Sequence, residues 1–483
     1  MLFNSYIFIL FFLPICISGY FILNHFKYKK TAQIFLLGMS LWFYGYFNIS
    51  YILLIISSVV INYFFYRFLN FTKGGRKCFF YAALFFNIGL LFYFKYYNFF
   101  LENINFVFKQ NFVLKSILLP LGISFFTFQQ ISFIADAYKG EIPNYHFVEY
   151  ASFVTYFPQL IAGPIVTHDE LIPQFLDDTK KRFCWDNFAK GIYIFSLGLG
   201  KKVLLADTFG NAANWGFDNI ASLNSTNAIL TMLSYTVQIY FDFSGYCDMA
   251  VGIGKMMNIN LPLNFNSPYK ALTITEFWNR WHITLTKFFT KYVYIPLGGN
   301  RVGGGKTYIN IMIVFLLSGI WHGASWNFIL WGICHGAFEI ITRKFKNLFK
   351  CMHPALSWMF TFLFLNMTWV IFRANTIQDA FTLLNCIISF DFGGISSEMT
   401  SCFNLPEFIF LGRAIVPILT YYPQFFLVSF FIAVIVILLY SRNAYEKMER
   451  FVPRIFNIVT TAFLIVWCIF SFSGVSTFLY FNF

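Results

Sequence analysis

Two histidines forty residues apart carry the chemistry that the residue types of this chain allow. His282 closes the stretch Thr275-Glu276-Phe277-Trp278-Asn279-Arg280-Trp281-His282, and His322 lies within Ser318-Gly319-Ile320-Trp321-His322-Gly323-Ala324-Ser325-Trp326. A neutral imidazole accepts a proton near pH 7, which suits general-base work. Both sit in apolar surroundings, and an ionisable side chain at membrane depth is costly enough to be read as functional. The nine cysteines are scattered, mostly in apolar contexts, with no CxxC or Cys/His spacing, so they read as buried free thiols and no metal site is expected.

Hydrophobic residues make up 58% of the 483-residue chain, aromatic residues 23% and charged residues 11%, a balance foreign to soluble globular proteins. An all-α polytopic membrane protein is expected, with room for about a dozen spans of roughly 20 residues. The 34 basic residues against 21 acidic give a formal charge of +13. In a membrane protein that excess sets topology and meets anionic headgroups of the bilayer; no aromatic-basic motif points to nucleic acid. Residues 2–23 have neither a basic n-region nor a small-residue cleavage site and read as a first span rather than a signal peptide.

The elements that must position the histidines follow from hydropathy. Apolar runs over 2–23, 31–47, 49–69 and 79–100 predict four spans. Lys27, Lys29 and Lys30 follow the first, and Arg67, Lys73, Arg76 and Lys77 the third, so the positive-inside rule puts the N-terminus outside. A fifth span over 117–135 carries Gln129 and Gln130, expected to hydrogen-bond between helices. Residues 157–164 are interrupted by Pro158, Gly163 and Pro164, and such a backbone must be buried in protein or line a cavity. The polar stretch that follows, up to residue 186, reads as a cytosolic loop with a solvated His168 and with Lys180, Lys181 and Arg182. Helices over 187–205 and 228–252 come next, the second with Asp242 and Asp248, which are either paired to a neighbouring helix or line a chamber. Spans over 356–372, 408–422, 424–440 and 454–470 complete the chain, with an acidic external loop at 391–407 and a cytosolic one bearing Arg442, Lys447, Arg450 and Arg454.

On a helical wheel of residues 274–290, Ile274, Phe277, Trp278, Trp281, Leu285, Phe288 and Phe289 share an arc of about 120°, and Glu276, Asn279, Arg280, Thr284, Lys287 and Thr290 occupy the rest. Only Ile283 is misplaced. Thr273-Ile274-Thr275-Glu276 has capping-box spacing, which predicts one amphipathic helix from Ile274, at the interface or lining a polar cavity, with His282 on the border of its two arcs. Near His322, Gly319 and Gly323 admit a close neighbouring backbone. On a continuous helix His335 points about 140° away from His322 and reads as structural. The glycine-rich segment from Gly298 to Lys306 has neither P-loop nor dinucleotide spacing. It reads as a flexible cytosolic turn, with a phosphate cradle using Arg301 and Lys306 as the alternative.

These stretches, with Phe157-Pro158-Gln159-Leu160-Ile161-Ala162-Gly163-Pro164, Gln238-Ile239-Tyr240-Phe241-Asp242-Phe243-Ser244-Gly245-Tyr246 and Trp369-Val370-Ile371-Phe372-Arg373-Ala374, resemble the membrane-bound O-acyltransferases, in particular their polysaccharide-acetylating branch. The resemblance covers most of the chain to residue 375 and implies a single membrane-embedded unit: N-terminal spans 1–135, a catalytic core 136–375 and C-terminal spans 376–483. It implies a bundle of about 11–13 transmembrane and re-entrant helices around a central chamber. His322 is then the catalytic residue, with His282 or Asn279 assisting it. Trp278, Arg280, Asp242, Trp321 and Ser325 are the accompanying substrate-site residues. Implied too are acetyl-CoA or another acyl thioester as donor, with Arg301 and Lys306 available to its phosphates, and no permanently bound cofactor. The remaining implications are a place in the bacterial cell membrane, a glycan acceptor outside and an extracytoplasmic transferase as partner.

Acyl transfer to a hydroxyl needs a base for the hydroxyl proton. An apolar bundle keeps His322 neutral and basic. No GxSxG elbow or Ser-His-Asp set suggests an acyl-serine, so direct attack of the acceptor on the thioester is the simplest scheme, with His282 or Asn279 orienting the acceptor or donating to the oxyanion. Two alternatives stand beside glycan O-acetylation: D-alanyl transfer to teichoic acid from a carrier-protein thioester, and a transporter or flippase in which both histidines are structural.

Overall fold

The computed structural model describes residues 1–71, 74–404, 422–472 and 478–479, and every regular element among them is a helix. The first four spans form where the apolar runs predict them: α1 (Phe8–His25), α2 (Lys29–Gly45), α3 (Ser50–Phe71) and α4 (Arg76–Phe108), the last containing a π-helical turn at Phe92–Tyr96. Six of the described helices are long and apolar enough to cross a membrane, α1, α3 and α4 among them. Polar ends of these spans gather on one side. Lys29 pairs with Asp178 at 2.5 Å, Arg67 donates to Asn144 at 3.3 Å, and Arg76 donates to the carbonyls of Ala137 and Tyr138 at 3.1 and 2.9 Å. The α1–α2 and α3–α4 connections and the end of α5 (Ile123–Lys139) therefore share one basic end of the bundle.

α5 starts later than hydropathy suggests, because the backbone before it is irregular and closes at Gly122 with φ +71°. A Cβ there would lie 2.6 Å from the Leu160 carbonyl, so only glycine lets this backbone meet the end of the short helical turn at Phe157–Leu160. Gln130 bonds across helices to Ser58 at 3.0 Å and accepts from Tyr150 at 3.2 Å, as expected. After α6 (Phe147–Thr155) comes the single turn α7 (Phe157–Leu160), and residues 156–166 are all buried, which is how the broken backbone avoids lipid. The loop expected next is instead partly helical. A capping box at Thr167 and Glu170 starts α8 (His168–Leu176), whose Leu171, Ile172 and Phe175 turn inward. His168 is consequently buried, not solvated, with Nε2 3.5 Å from Asp136.

α9 (Trp185–Gly200), a π-helical turn (Lys201–Ala206) and α10 (Asp207–Asp218) run against the long, almost wholly buried α11 (Ser225–Met256). Small residues allow the contact: a Cβ on Gly198 would be 2.6 Å from the Gly245 carbonyl, and one on Gly252 2.7 Å from that of Gly191. Then follow α12 (Ile274–Arg280), α13 (Ile283–Phe289), α14 (Gly304–His322), α15 (Trp326–Lys344), α16 (Pro354–Arg373), α17 (Ile377–Ile388), α18 (Pro423–Tyr440), α19 (Ala444–Glu449) and α20 (Ile455–Phe470). The span expected over 408–422 lies outside the described residues, Tyr422 excepted. All nine cysteines are free, but only Cys16, Cys247 and Cys468 are buried while Cys78 and Cys351 are exposed. In a bundle of this kind an apolar neighbourhood marks the outward helix face as readily as the interior one.

Candidate functional site

The helix expected over 274–290 is two helices. α12 starts where the capping-box spacing predicts, with Thr273 Oγ1 accepting from the Glu276 N–H at 3.2 Å, although the Glu276 carboxylate accepts from the Leu272 N–H at 2.8 Å and not from Thr273; the helix stops at Arg280. Trp281 is extended, His282 is left-handed (φ 43°, ψ 51°), and α13 begins after it. The freed backbone groups bond to a distant segment: Asn266 N–H donates to the Arg280 carbonyl at 2.8 Å and Ile283 N–H to that of Asn264 at 3.0 Å. Ile283, the residue off the wheel, marks the break.

His282 is therefore not on the border of an amphipathic helix. It is 1% exposed, among the rings of Phe125, Phe243, Phe265 and Trp321, the Phe243 centroid being 4.8 Å away. Its Nδ1 lies 3.2 Å from Asn264 Oδ1, which also accepts from Thr284 N–H at 3.2 Å and Thr284 Oγ1 at 2.9 Å. An amide oxygen only accepts, so the neutral ring carries its proton on Nδ1 and presents Nε2 as the lone-pair nitrogen.

His322 is the last residue of α14, and the chain turns through Gly323, Ala324 and Ser325 into α15, so the apolar stretch is a hairpin rather than one continuous helix. The hairpin packs tightly: a Cβ on Gly319 would come 2.3 Å from the Phe328 carbonyl, and one on Gly332 2.5 Å from that of Phe315. Rings of Trp321, Trp331 and Phe372 surround His322 with centroids 4.8, 5.3 and 5.2 Å away. Trp321 also touches His282 at 6.0 Å, so one indole is shared by both imidazoles. His335 belongs to α15, is fully buried, and has Nε2 3.1 Å from Thr368 Oγ1, which fits the structural reading on other grounds than helix phase.

His322 lines one small cavity, and two larger ones open among the neighbouring helices. The small cavity, of about 20 Å³, room for about one water, is lined by Lys95, Gly122, Ser124, Phe125, Trp321 and His322 among others. Lys95 Nζ donates to the carbonyls of Trp321 at 2.7 Å and His322 at 3.0 Å, which caps the end of α14. A separate cavity of about 240 Å³ lies between α12, α13, α14 and α15, where Trp278, Asn279, Thr286, Ser318, Glu339 and Arg343 line it; His322 does not. A third, of about 580 Å³, is lined by Thr167, Asp169, Glu170, Lys287, Lys291 and Tyr292 and shares Trp278, Asn279, Thr286 and Thr290 with the second. At its edge the fully buried Asp136 accepts from Lys291 Nζ at 2.9 Å and Tyr292 OH at 2.7 Å.

Of the residues singled out in the sequence, His282, Trp321 and His322 meet, Trp278 and Asn279 wall the two larger cavities, and Ser325 stands at the N-cap position of α15, just past His322, with no side-chain capping bond. Four others are committed elsewhere or remote. Arg280 is held by Glu276 at 2.8 Å and by the Asn266 carbonyl at 3.2 Å. Asp242 is paired, of its two readings, with Lys202 at 2.6 Å, and Lys202 also reaches Asp207 at 2.8 Å. Arg301, in the turn before α14, and Lys306, in the first turn of α14, are exposed and line none of the three cavities. Lys95, Asp136 and Asn264 were missed. Lys95 is a charge inside the apolar run 79–100, so the rule that singles out the histidines applies to it equally. Asn264, a polar residue in a polar loop, carries no such mark.

A profile of the membrane-bound O-acyltransferase family matches residues 36–378. The peptidoglycan O-acetyltransferase of Helicobacter pylori is 44% identical over 423 residues, covering 80% of each chain. The probable alginate O-acetylase of Pseudomonas aeruginosa is 38% identical over 81% of this chain and 75% of its own. The teichoic acid D-alanyltransferase of Bacillus subtilis is 28% identical over 47% of this chain and 61% of its own.

Proposed function

The chain is an O-acyltransferase of the membrane-bound O-acyltransferase family, and from that premise we propose that it takes an acetyl group from a cytosolic thioester for O-acetylation of an extracellular polysaccharide or cell-wall glycan. The observation that carries the reading is the position of His322, buried at the end of α14, where it lines the Lys95 cavity and packs on the Trp321 indole that also meets His282. The larger cavities reach toward the basic end, where Lys291 meets Asp136 on α5, and that end is the cytosolic one by the positive-inside rule. A thioester such as acetyl-CoA enters there, with Lys287 and Lys291 nearest its phosphates and the exposed Arg301 and Lys306 further out.

In this reaction the acceptor hydroxyl attacks the thioester carbonyl, His322 takes the hydroxyl proton, and the thiolate leaves and recovers that proton. His282, with Nδ1–H donated to Asn264, offers Nε2 to orient the acceptor. The acetyl group reaches an acceptor on the far side of the bacterial plasma membrane, where a separate extracytoplasmic transferase completes glycan O-acetylation. D-alanyl transfer is the less favoured donor chemistry, because the D-alanyltransferase likeness covers 47% of the chain against 80% for the O-acetyltransferase.

The test is turnover in inverted membrane vesicles with acetyl-CoA as donor, read as release of free thiol and as base-labile acetate. Wild type should turn over and His322→Ala should not. Turnover with a D-alanyl carrier-protein thioester and none with acetyl-CoA would reverse the choice of donor.

A further inference from the structure

Lys95 occupies the π-helical turn Phe92–Tyr96 of α4, and single π-turns inside α-helices are frequent at functional positions. Its ammonium has three N–H donors. Two go to the carbonyls of Trp321 and His322 at 2.7 and 3.0 Å. The third has only Ser124 Oγ at 3.4 Å, beyond ordinary hydrogen-bond length. Among the described residues no carboxylate lies within ion-pairing distance of Lys95. Lys95, Ser124 and His322 line one small cavity together, so the ammonium and the imidazole face the same space. A helix cap alone needs neither the uncommitted donor nor its place beside an imidazole.

We propose that Lys95 is a further catalytic residue, whose third N–H holds the oxyanion formed when the acceptor adds to the thioester beside His322. The inference rests on the reading of His322 as base and of a thioester as donor. In the step, a C–O bond forms between the acceptor oxygen and the carbonyl carbon, the carbonyl π pair moves onto its oxygen, and the hydroxyl proton goes to His322. On collapse the oxygen pair re-forms the C=O bond, the C–S bond breaks, and the thiolate takes the proton from His322. Lys95 keeps its own protons throughout, and its charge matters most where the negative charge is greatest.

The experiment uses the full chain in inverted membrane vesicles, with acetyl-CoA as donor probe and thiol release as readout, on wild type, Lys95→Met, Lys95→Gln, Lys95→Arg and His322→Ala. Gln can still donate to the two capping carbonyls but has no charge. Loss of kcat by about 10²-fold or more in Met and Gln is expected, with KM for acetyl-CoA within about threefold and melting temperature preserved, and partial recovery in Arg. A kcat within threefold of wild type in either neutral variant overturns the proposal. So does a loss confined to KM, or failure of both neutral variants to fold, which would leave Lys95 a helix cap. Wild-type turnover by His322→Ala would instead bring down the reading of His322 and this proposal with it.

Discussion

His282 Nδ1 and Asn264 Oδ1 lie 3.2 Å apart, and that contact decides which nitrogen of a buried imidazole carries the proton and which the lone pair. Asn264 holds His282 and Thr284 together. Asn264→Ala should slow transfer about tenfold, the worth of one hydrogen bond of about 1.4 kcal/mol, through kcat rather than donor KM. An unchanged kcat would show that the tautomer of His282 is immaterial.

His282 itself separates orientation from proton transfer. His282→Ala should reduce acyl transfer by about 10²-fold or more while leaving donor binding intact. Gln keeps hydrogen-bonding groups but takes no proton near neutral pH. Activity retained in His282→Gln and lost in His282→Ala supports orientation; equal loss in both points to proton transfer.

Substitution of the base should be more severe. His322→Ala is expected to remove transfer, by about 10²–10⁴-fold, with little change in melting temperature. His335→Ala should do the opposite, lowering melting temperature through the lost Thr368 contact while folded protein retains most of its turnover. Equal turnover by His322→Ala and wild type would contradict the assignment.

Asp242 gives a stability prediction. Asp242 and Lys202 are 2.6 Å apart with 3% and 2% side-chain exposure, and because Asp207 still holds Lys202 at 2.8 Å, loss of the Asp242 charge costs less than the about 3–5 kcal/mol of a buried pair left with one partner. Asp242→Asn should therefore lower the melting temperature and yield of folded protein, with KM unchanged in what folds. Normal stability together with a raised KM would return Asp242 to the reaction chamber.

Sidedness can be read from the basic end. In a cysteine-depleted background, Lys29→Cys and Asp178→Cys should be shielded from an impermeant thiol reagent in intact cells, while Asn48→Cys labels. The wild-type contact should be indifferent to pH near neutrality. Lys29 and Lys181 hold the exposed Asp178 carboxyl down to about 2. A carboxyl so depressed contributes above its unfolded value near about 4 and loses that contribution only as pH falls through the folded one. Cross-linking of a Lys29→Cys/Asp178→Cys pair reports the same neighbourhood, and labelling of Lys29→Cys in intact cells would invert the topology.

Much of the arrangement is legible along the chain because it depends on neighbours in sequence. Hydropathy places α1 to α4, α16, α18 and α20, the Thr273 N-cap starts α12, and Pro158, Gly163 and Pro164 foretell a buried break. Trp321-His322-Gly323 and Trp281-His282 single out the two imidazoles for the same local reason, a titratable group among apolar ones. What escapes a reading along the chain depends on partners far away in it. The left-handed turn at His282 persists because Asn264 and Asn266 supply backbone hydrogen bonds that a continuous helix would have made internally. His168 is buried because folding brings Asp136 to it, and Asp242 is neutralised by Lys202 on the facing helix. Lys95 reaches the carbonyl of His322 across 227 positions of sequence. Helix packing alone determines which carbonyls and rings a membrane-buried charge will meet, and no periodicity along the chain encodes that meeting.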